Sequence, residues 1–146
     1  MWRCPTCGRS FLRTRQTHSC RVVAVEDHFR SKGEARALFG RLLAAVEEAV
    51  GPCEVVALPC CLRLSSGADF LAVLPRRDRL EIRFALEEVL AHPRISASAR
   101  ISAAAVKHSV PIVSAEDIDD ELLSWIRRAQ ALAAGVQETG GSQPIP

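Results

Sequence analysis

The chain has 146 residues, enough for one compact domain with a small appendage, and its formal net charge is +2. No apolar run is long enough to span a bilayer, and the N-terminus lacks the pattern of a secretory signal, so we expect a cytoplasmic protein without a membrane partner. The charge is uneven: residues 1–22 carry five arginines and no acid, which leaves about −3 for the remainder.

The first twenty residues contain a complete set of zinc ligands. Cys4 and Cys7 are two residues apart, and His18 and Cys20 follow after a short basic loop. Three thiolates and one imidazole fill a tetrahedral structural site and leave no position for water. We therefore expect residues 1–21 to form a zinc finger that the metal has to stabilise, because so short a segment buries little surface.

Other interpretations of this motif are weaker. A redox Cys-x-x-Cys motif normally opens a helix after a strand, and a disulfide framework requires an oxidising compartment. His28 is a spare ligand that replaces Cys20 if Cys20 points away. We also expect the loop of residues 8–17 to form a small hairpin that carries an aromatic side chain inward.

The finger is basic, and this bears on its partner. Four arginines are candidates for contact with nucleic-acid phosphates: Arg3, Arg9, Arg13 and Arg15. The alternative is that they only keep the finger solvated, with the partner either a protein or unknown.

The first helix of the body is predicted from residue 31 to residue 50. Ser31 and Glu34 match a capping box, and Gly51 followed by Pro52 stops the helix. Its apolar residues recur every three or four positions and form one buried stripe, at Leu38, Phe39, Leu42, Val46 and Ala49.

Short β-type segments follow, separated by turns. They span residues 54–58, 61–64, 70–74, 80–84 and 103–112, and the alternation is clearest in residues 80–84. Residues 96–102 are small and polar and indicate a loop or an edge. Short turns favour antiparallel neighbours, so we expect a meander of four or five strands.

The last predicted element is a helix that follows Ser114 and Asp117, another capping pattern. Residues 135–146 are expected to form a flexible tail. The body, residues 22–134, is therefore predicted to be an α+β domain in which both helices pack on one sheet face and the other face stays polar.

The chain resembles a widespread, uncharacterised bacterial domain family that often follows a zinc motif of this kind. At the N-terminus the resemblance rests on Cys4, Pro5, Cys7, Gly8, Phe11, Gln16, His18, Ser19 and Cys20. In the body it rests on residues 27–29, 34–39 and 92–94, and on His108, Ile112, Ser114, Asp119, Glu121 and Trp125. Family members often carry lysine or threonine where Cys60 and Cys61 stand here, and the resemblance implies no activity.

Two groups of side chains in the body are candidates for function. His108 alternates with valines on the last strand, which suits a pocket histidine or a buried imidazole bonded to a backbone carbonyl. Arg63, Arg83 and Lys107 form a cationic platform for a carboxylate or phosphate if they share the polar face; otherwise they are solvated strand residues.

The remaining cysteines are expected to be small buried residues. The alternative is a second thiol or soft-metal site formed by Cys53, Cys60 and Cys61 with His92. Adjacent strand residues point to opposite faces, which argues against joint chelation by Cys60 and Cys61.

These patterns favour a zinc-containing binding or adaptor module, with nucleic acid as one candidate partner. The alternative is a small enzyme whose site lies on the polar sheet face around His108 and the arginines. A homodimer that uses this face as its interface is a third interpretation.

Overall fold

The computed structural model of the chain describes residues 2–5, 10–11, 14–15 and 23–138. The α-helices in this part are α1 (Gly33–Val50) and α2 (Asp120–Glu138), and the short 3-10 helices are Val25–Phe29 and Ala115–Asp117. The strands are β1 (Trp2–Arg3), β2 (Ser10–Phe11), β3 (Glu54–Ala57), β4 (Leu62–Ser65), β5 (Asp69–Pro75), β6 (Leu80–Leu86), β7 (Ala97–Ser102) and β8 (Ala105–Ile112). An α-helix precedes and another follows the larger sheet, which confirms the predicted α+β class.

Strands β3 to β8 form one antiparallel sheet in the order β3-β4-β5-β6-β8-β7. The first four strands make the predicted meander. The last hairpin has the reversed strand order: its second strand, β8, pairs with β6, and its first strand, β7, lies at the edge of the sheet beside β8. Residues 97–102 therefore form an edge strand, and this sheet has six strands, where four or five were expected.

The reversed strand order of this hairpin is explained by its apolar residues, because β8 has a buried apolar face and β7 does not. Val106, Val110 and Ile112 of β8 are almost fully buried, whereas five of the six residues of β7 are exposed. A strand with a buried face is stable at an inner position between two neighbours, and a small polar strand is tolerated at the edge. Pro111 lies beyond Ser109, the last β8 residue that pairs with β7.

Helix α1 ends as predicted but starts differently. Lys32 is the N-cap, and Ser31 has a φ of 58° and makes no capping box. The Lys32 ammonium donates instead to the Pro75 carbonyl, 3.2 Å away. At the other end Gly51 has a φ of 97°, which glycine adopts without strain, and its N–H donates to the Glu47 carbonyl at 2.9 Å.

The predicted capping pattern before α2 belongs to a separate turn. Ser114 precedes the 3-10 helix Ala115–Asp117, and Asp117 Oδ2 accepts the Ser114 N–H at 3.2 Å. Helix α2 starts later and is capped by Asp119, whose Oδ1 accepts the Leu122 N–H at 2.9 Å.

Helix α2 also continues further than expected. It ends at Glu138, so residues 135–138, predicted to begin the tail, are helical. The predicted tail residues 139–146 lie outside the described part of the chain. Neither described helix combines the length and the apolar character that a membrane span requires.

Both helices bury their apolar stripes on the same face of the sheet. The core joins residues of α1 and α2 to alternate residues of β4, β5, β6 and β8, and its largest members are Phe39, Phe70, Phe84, Leu42, Leu62, Leu64, Leu71, Leu80, Ile82, Leu86, Ile112 and Leu122. Because side chains alternate along a strand, Glu81, Arg83 and Ala85 of β6 lie on the opposite face. We call this opposite side the polar face.

Residues 25–29, here called the connector, follow the predicted finger and pack against the rest of the domain. Phe29 is buried, and its ring centroid lies 5.4 Å from that of Phe39. His28 Nε2 lies 2.7 Å from the Leu58 carbonyl, so the spare zinc ligand has a partner in the body. Residues 25–29 form a 3-10 helix, and Val25 packs against the core.

The N-terminal hairpin pairs β1 with β2, with Trp2 opposite Phe11 and Arg3 opposite Ser10. The predicted hairpin of residues 8–17 lies mostly outside the described residues, so it stays a prediction. Cys4 is buried. Cys7, His18 and Cys20 lie outside the described residues.

Truncation of the core should destabilise the body strongly. Leu42 has no exposed surface, and we expect Leu42→Ala to lower the free energy of unfolding by about 2–5 kcal/mol through lost burial and a residual cavity. The measurement is urea unfolding followed by circular dichroism. Val89 is 60% exposed, so Val89→Ala is the control and should change this free energy by less than about 0.5 kcal/mol. Equal effects of the two substitutions would contradict the packing described.

Candidate functional site

The polar face brings two of the predicted cationic residues into one row across the sheet. Arg63 of β4 pairs with Ala72 of β5, which pairs with Arg83 of β6, which pairs with Ser109 of β8. Since neighbouring strands are about 4.8 Å apart, the backbones of the two arginines are roughly 10 Å apart. Ala72 lies between them and contributes only a methyl group, so no large side chain separates the two arginines along this row.

Lys107 extends this cationic group along the sheet. It pairs with Ala85 of β6 and Ala99 of β7, and it lies diagonally from Arg83. Diagonal neighbours in an antiparallel pair are about 7–8 Å apart, within reach of two long side chains. Within the described part of the chain, Lys107 makes no side-chain hydrogen bond and no ion pair. The polar face therefore holds Arg63, Arg83 and Lys107 around small residues.

Carboxylates neutralise two of these three cations. Arg83 binds Glu81 on its own strand, with Nη2 2.6 Å and Nε 2.9 Å from Oε2. Arg76 approaches the same oxygen at 3.6 Å. Arg63 lies 3.8 Å from Asp69 Oδ2. Of these three cations, Lys107 is thus the one whose side chain has no carboxylate partner among the described residues.

Burial affects the carboxylate that faces Arg63. Desolvation raises the pKa of Asp69 above its usual value, and the Arg63 charge and a hydrogen bond from Ser65 offset this only in part. Arg63 itself has only 12% of its side chain exposed. This end of the row is therefore the drier end, whereas Arg83, with 33% of its side chain exposed, is more accessible.

His108 does not join the arginines. It pairs with Phe84 and lies on the face that the helices cover, with no exposed surface. Its ring stacks on Phe84, with centroids 5.9 Å apart, and its Nε2 accepts the Leu90 N–H at 2.9 Å. The structure thus places His108 on one side of the sheet and the three cations on the other.

The hydrogen bond at Nε2 determines which ring nitrogen of neutral His108 carries the proton. Because Nε2 accepts, the neutral ring carries its proton on Nδ1, which finds no well-formed hydrogen bond among the described residues. Burial lowers the pKa of His108, the Val106 backbone raises it in part, and the Arg128 charge lowers it further. The residue is a neutral, buried imidazole, but its ring accepts from a backbone N–H, where a bond to a backbone carbonyl was expected.

A cluster that the sequence did not predict forms where the loop after β6 meets the start of α2. His92, Arg94, Asp119, Glu121 and Trp125 meet there, although about thirty residues separate the first from the last. The Arg94 Nη1 donates to both Asp119 oxygens, at 2.9 and 3.1 Å, and lies 3.6 Å from Glu121. The guanidinium also lies over the Trp125 ring, 5.7 Å from its centroid.

His92 completes this cluster. Its Nδ1 accepts the Arg94 N–H at 3.1 Å, and its Nε2 lies 3.3 Å from Glu121 Oε2. The ring meets Trp125 edge-on, with centroids 4.9 Å apart. Because Nδ1 accepts a hydrogen bond, the proton of the neutral ring is on Nε2, and this N–H donates a hydrogen bond to Glu121.

The cluster fastens the loop to the helix. Desolvation raises the pKa of Asp119, but the Leu122 N–H and Arg94 more than offset it and hold the pKa below its usual value. Each charged group has a partner inside the cluster, and Trp125 is only 5% exposed. We interpret the cluster as a clamp between the loop and α2. All five residues belong to the stretches on which the resemblance rests, which was the available sequence signal.

The remaining cysteines do not gather with His92. Cys53 Sγ donates to the Gly51 carbonyl at 3.3 Å, and burial followed by the Glu47 charge raises the pKa of its thiol. Cys60 and Cys61 lie together at the turn before β4, with their sulfurs 3.4 Å apart.

The structure describes only part of the predicted finger. Cys4 is buried, and Arg3 and Arg15 are exposed. Arg9 and Arg13, like the other three predicted zinc ligands, lie outside the described residues. Among the residues that the structure does describe, no three His, Cys, Asp or Glu side chains are arranged to hold a metal.

Protonation of His108 should make the fold less stable. Because its pKa is lower in the folded chain than the ordinary 6.5, the unfolded chain binds the proton more readily once the pH falls below about 6.5. We expect the free energy of unfolding to be highest above pH 6.5 and to fall as the pH decreases towards the folded pKa. Urea unfolding at pH 7.5 and pH 5 measures this change.

The variant His108→Gln should have a smaller loss of stability between the two pH values than the parent protein. His28→Gln is the control, since it removes a half-buried histidine from a different part of the molecule. If His108→Gln kept the full pH dependence, the buried neutral imidazole would not be its source.

Comparisons with known proteins identify the family. The family described as a domain of unknown function (DUF5655) matches residues 25–133, about three quarters of the chain. The match begins after the predicted finger and ends within α2. No curated protein and no solved structure shows significant similarity to the chain. The chain therefore belongs to the DUF5655 family.

Proposed function

We propose that this protein is a two-part binding module, with a zinc-held head formed by residues 1–21 and an α+β body that binds an anionic group on its polar face. The observation that carries the proposal is the Lys107 ammonium, which makes no ion pair in the described region and lies diagonally from Arg83. The ligand class is a carboxylate or a phosphate, carried by a small molecule or by a partner.

The arrangement suits an anion for geometric reasons. Nε and Nη2 of Arg83 are engaged by Glu81, which orients the guanidinium and leaves Nη1 for a ligand. Ala72, Ala85 and Ser109 are small residues on the same face, so their side chains project little towards an anion held by the cations. Charge-assisted hydrogen bonds from two such groups are stronger than those between neutral partners.

Binding is favoured over catalysis because the residues of the enzyme alternative are not in one place. His108 lies under the helices, neutral and bonded to the Leu90 N–H, while Arg63, Arg83 and Lys107 lie on the other face. A histidine on the opposite side of a sheet cannot exchange a proton with a ligand held by those cations.

Zinc is proposed for the head on the chemistry of its donor set. Cys4, Cys7, His18 and Cys20 supply three thiolates and one imidazole, which is a structural zinc set. The buried position of Cys4 and the pairing of β1 with β2 support it. Zinc would supply the folding free energy that the head lacks.

The partner of the head is proposed from its charge. Arg3, Arg9, Arg13 and Arg15 give it a basic surface, and the two of them that are described are exposed. Nucleic acid is the candidate partner with matching charge, and its binding would weaken steeply with salt because counterions are released. A protein partner would show a weaker dependence on salt.

Anion binding is tested by titration of the full chain with inorganic phosphate at constant ionic strength. We expect the amide signals of Arg83, Lys107 and Ser109 in two-dimensional NMR spectra to shift and to saturate. Lys107→Gln should weaken binding by about fivefold, which corresponds to about 1 kcal/mol for a partly exposed charge.

Arg79→Gln is the matched control, since it removes one positive charge from the exposed turn between β5 and β6. It should leave the affinity for phosphate unchanged. Equal weakening by both variants, or shifts confined to residues outside β4, β6 and β8, would contradict the proposed site. Molecular mass measured by light scattering in the same buffer separates ligand binding from dimer formation through this face.

Zinc removal should affect the head alone. After treatment with a chelator, we expect release of one zinc ion per chain and loss of amide-exchange protection in residues 1–21, because the metal holds this segment together. Residues 25–133 should keep their protection, since their core does not involve the metal. Cys7→Ser is the matched variant and should bind no zinc while its body stays folded. Absence of zinc from the purified protein, or unfolding of the body together with the head, would overturn this proposal.

A further inference from the structure

We infer that Cys60 and Cys61 form a redox-responsive dithiol, which a hydroperoxide closes to a vicinal disulfide. Their sulfur atoms are 3.4 Å apart, within hydrogen-bond distance of each other. Cys60 is exposed, whereas Cys61 is buried, with 4% of its surface accessible. One thiol is therefore available to an oxidant in solution, and the second lies directly behind it.

The two thiols meet because they lie in a turn. Strand β4 begins only at Leu62, and residues 58–61 form a tight turn in which the Leu58 N–H donates to the Cys61 carbonyl at 2.9 Å. Two successive residues point to opposite sides only within an extended strand. The turn removes that restriction, which corrects the argument from strand geometry against joint chelation by Cys60 and Cys61.

The surroundings of Cys61 suit the resolving thiol. Arg63 forms a hydrogen bond with its sulfur, and the same guanidinium approaches Asp69 at 3.8 Å. Burial raises the pKa of the Cys61 thiol, and Arg63 opposes this effect by favouring the thiolate. An exposed cysteine beside a resolving cysteine is the arrangement found in redox-sensing proteins.

The reaction proceeds in two balanced steps. The Cys60 sulfur attacks the hydroperoxide, the O–O bond breaks, and Cys60 sulfenic acid and an alcohol or water are formed. The Cys61 sulfur then attacks the Cys60 sulfur, the S–O bond breaks, and water leaves with the proton of the Cys61 thiol. In total the two thiols lose two electrons and two protons, and the hydroperoxide is reduced.

The disulfide would be easy to reduce again. Adjacent Cα atoms are about 3.8 Å apart across a trans peptide, shorter than the usual range of about 4.4–6.8 Å for bridged cysteines. Such strain favours the reduced form, so thiol reductants would reverse the reaction. Closure would also pull on the turn whose Leu58 carbonyl lies 2.7 Å from His28 Nε2, which links the redox state to the connector.

The test uses the full chain as purified, with hydrogen peroxide as the oxidant. After peroxide treatment and alkylation of free thiols, trypsin releases residues 42–63, which contain Cys53, Cys60 and Cys61 but none of the cysteines of the head. We expect this peptide to lose two hydrogen atoms and to retain one alkylated cysteine. Dithiothreitol should restore all three thiols, and Cys53→Ser should lose two hydrogens in the same way.

Two further variants separate the roles of the pair. Cys60→Ser changes an exposed side chain, so the fold should persist, and the loss of two hydrogens should disappear. Cys61→Ser should instead accumulate sulfenic acid at Cys60, which a 1,3-diketone reagent traps. The inference would be overturned by a disulfide that requires Cys53, by a bridge to a cysteine of the head, or by both thiols of the pair remaining free when Cys53 is oxidised.

Discussion

Burial of two helices against one face of a single sheet is the constraint on which the rest of this structure depends. Leu42 of α1 and Ile126 of α2 belong to the same core as Ile82 of β6, and all three are fully buried. Because side chains alternate between the two faces along a strand, packing of the helices on one face places Arg83 and Lys107 on the opposite face. A slip of one residue in register would exchange the two sets, so the cationic face is a consequence of the core.

The reversed strand order of the final hairpin determines where the connection between β6 and β7 runs. With β8 rather than β7 beside β6, the chain between β6 and β7 has to cross the end of the sheet near the start of α2. There Arg94 meets Asp119, and Trp125 provides the apolar base of the cluster. Leu90, at the start of this crossing, donates its N–H to His108. One polar cluster and one buried histidine thus hold a connection that crosses an inner strand.

The two proposed sites share one residue. Arg63 belongs to the cationic row of the polar face, and it also contacts Cys61, just before β4, and Asp69 at the start of β5. Oxidation of the thiol pair would change what this guanidinium faces, since a disulfide would replace the Cys61 thiol. The anion site and the dithiol are therefore neighbours, and Arg63 is the contact between them.

The sequence by itself determined what local periodicity can determine: the α+β class, the buried stripe of α1, its end at Gly51 and the alternation of β6. It did not reveal that β8 would replace β7 beside β6, that Arg94 would meet Asp119, or that the sulfurs of Cys60 and Cys61 would touch. Local patterns specify which face of an element is apolar, because they depend on a few neighbouring residues. Strand order and the meeting of distant side chains depend on the packing of the whole chain, which only the tertiary structure decides.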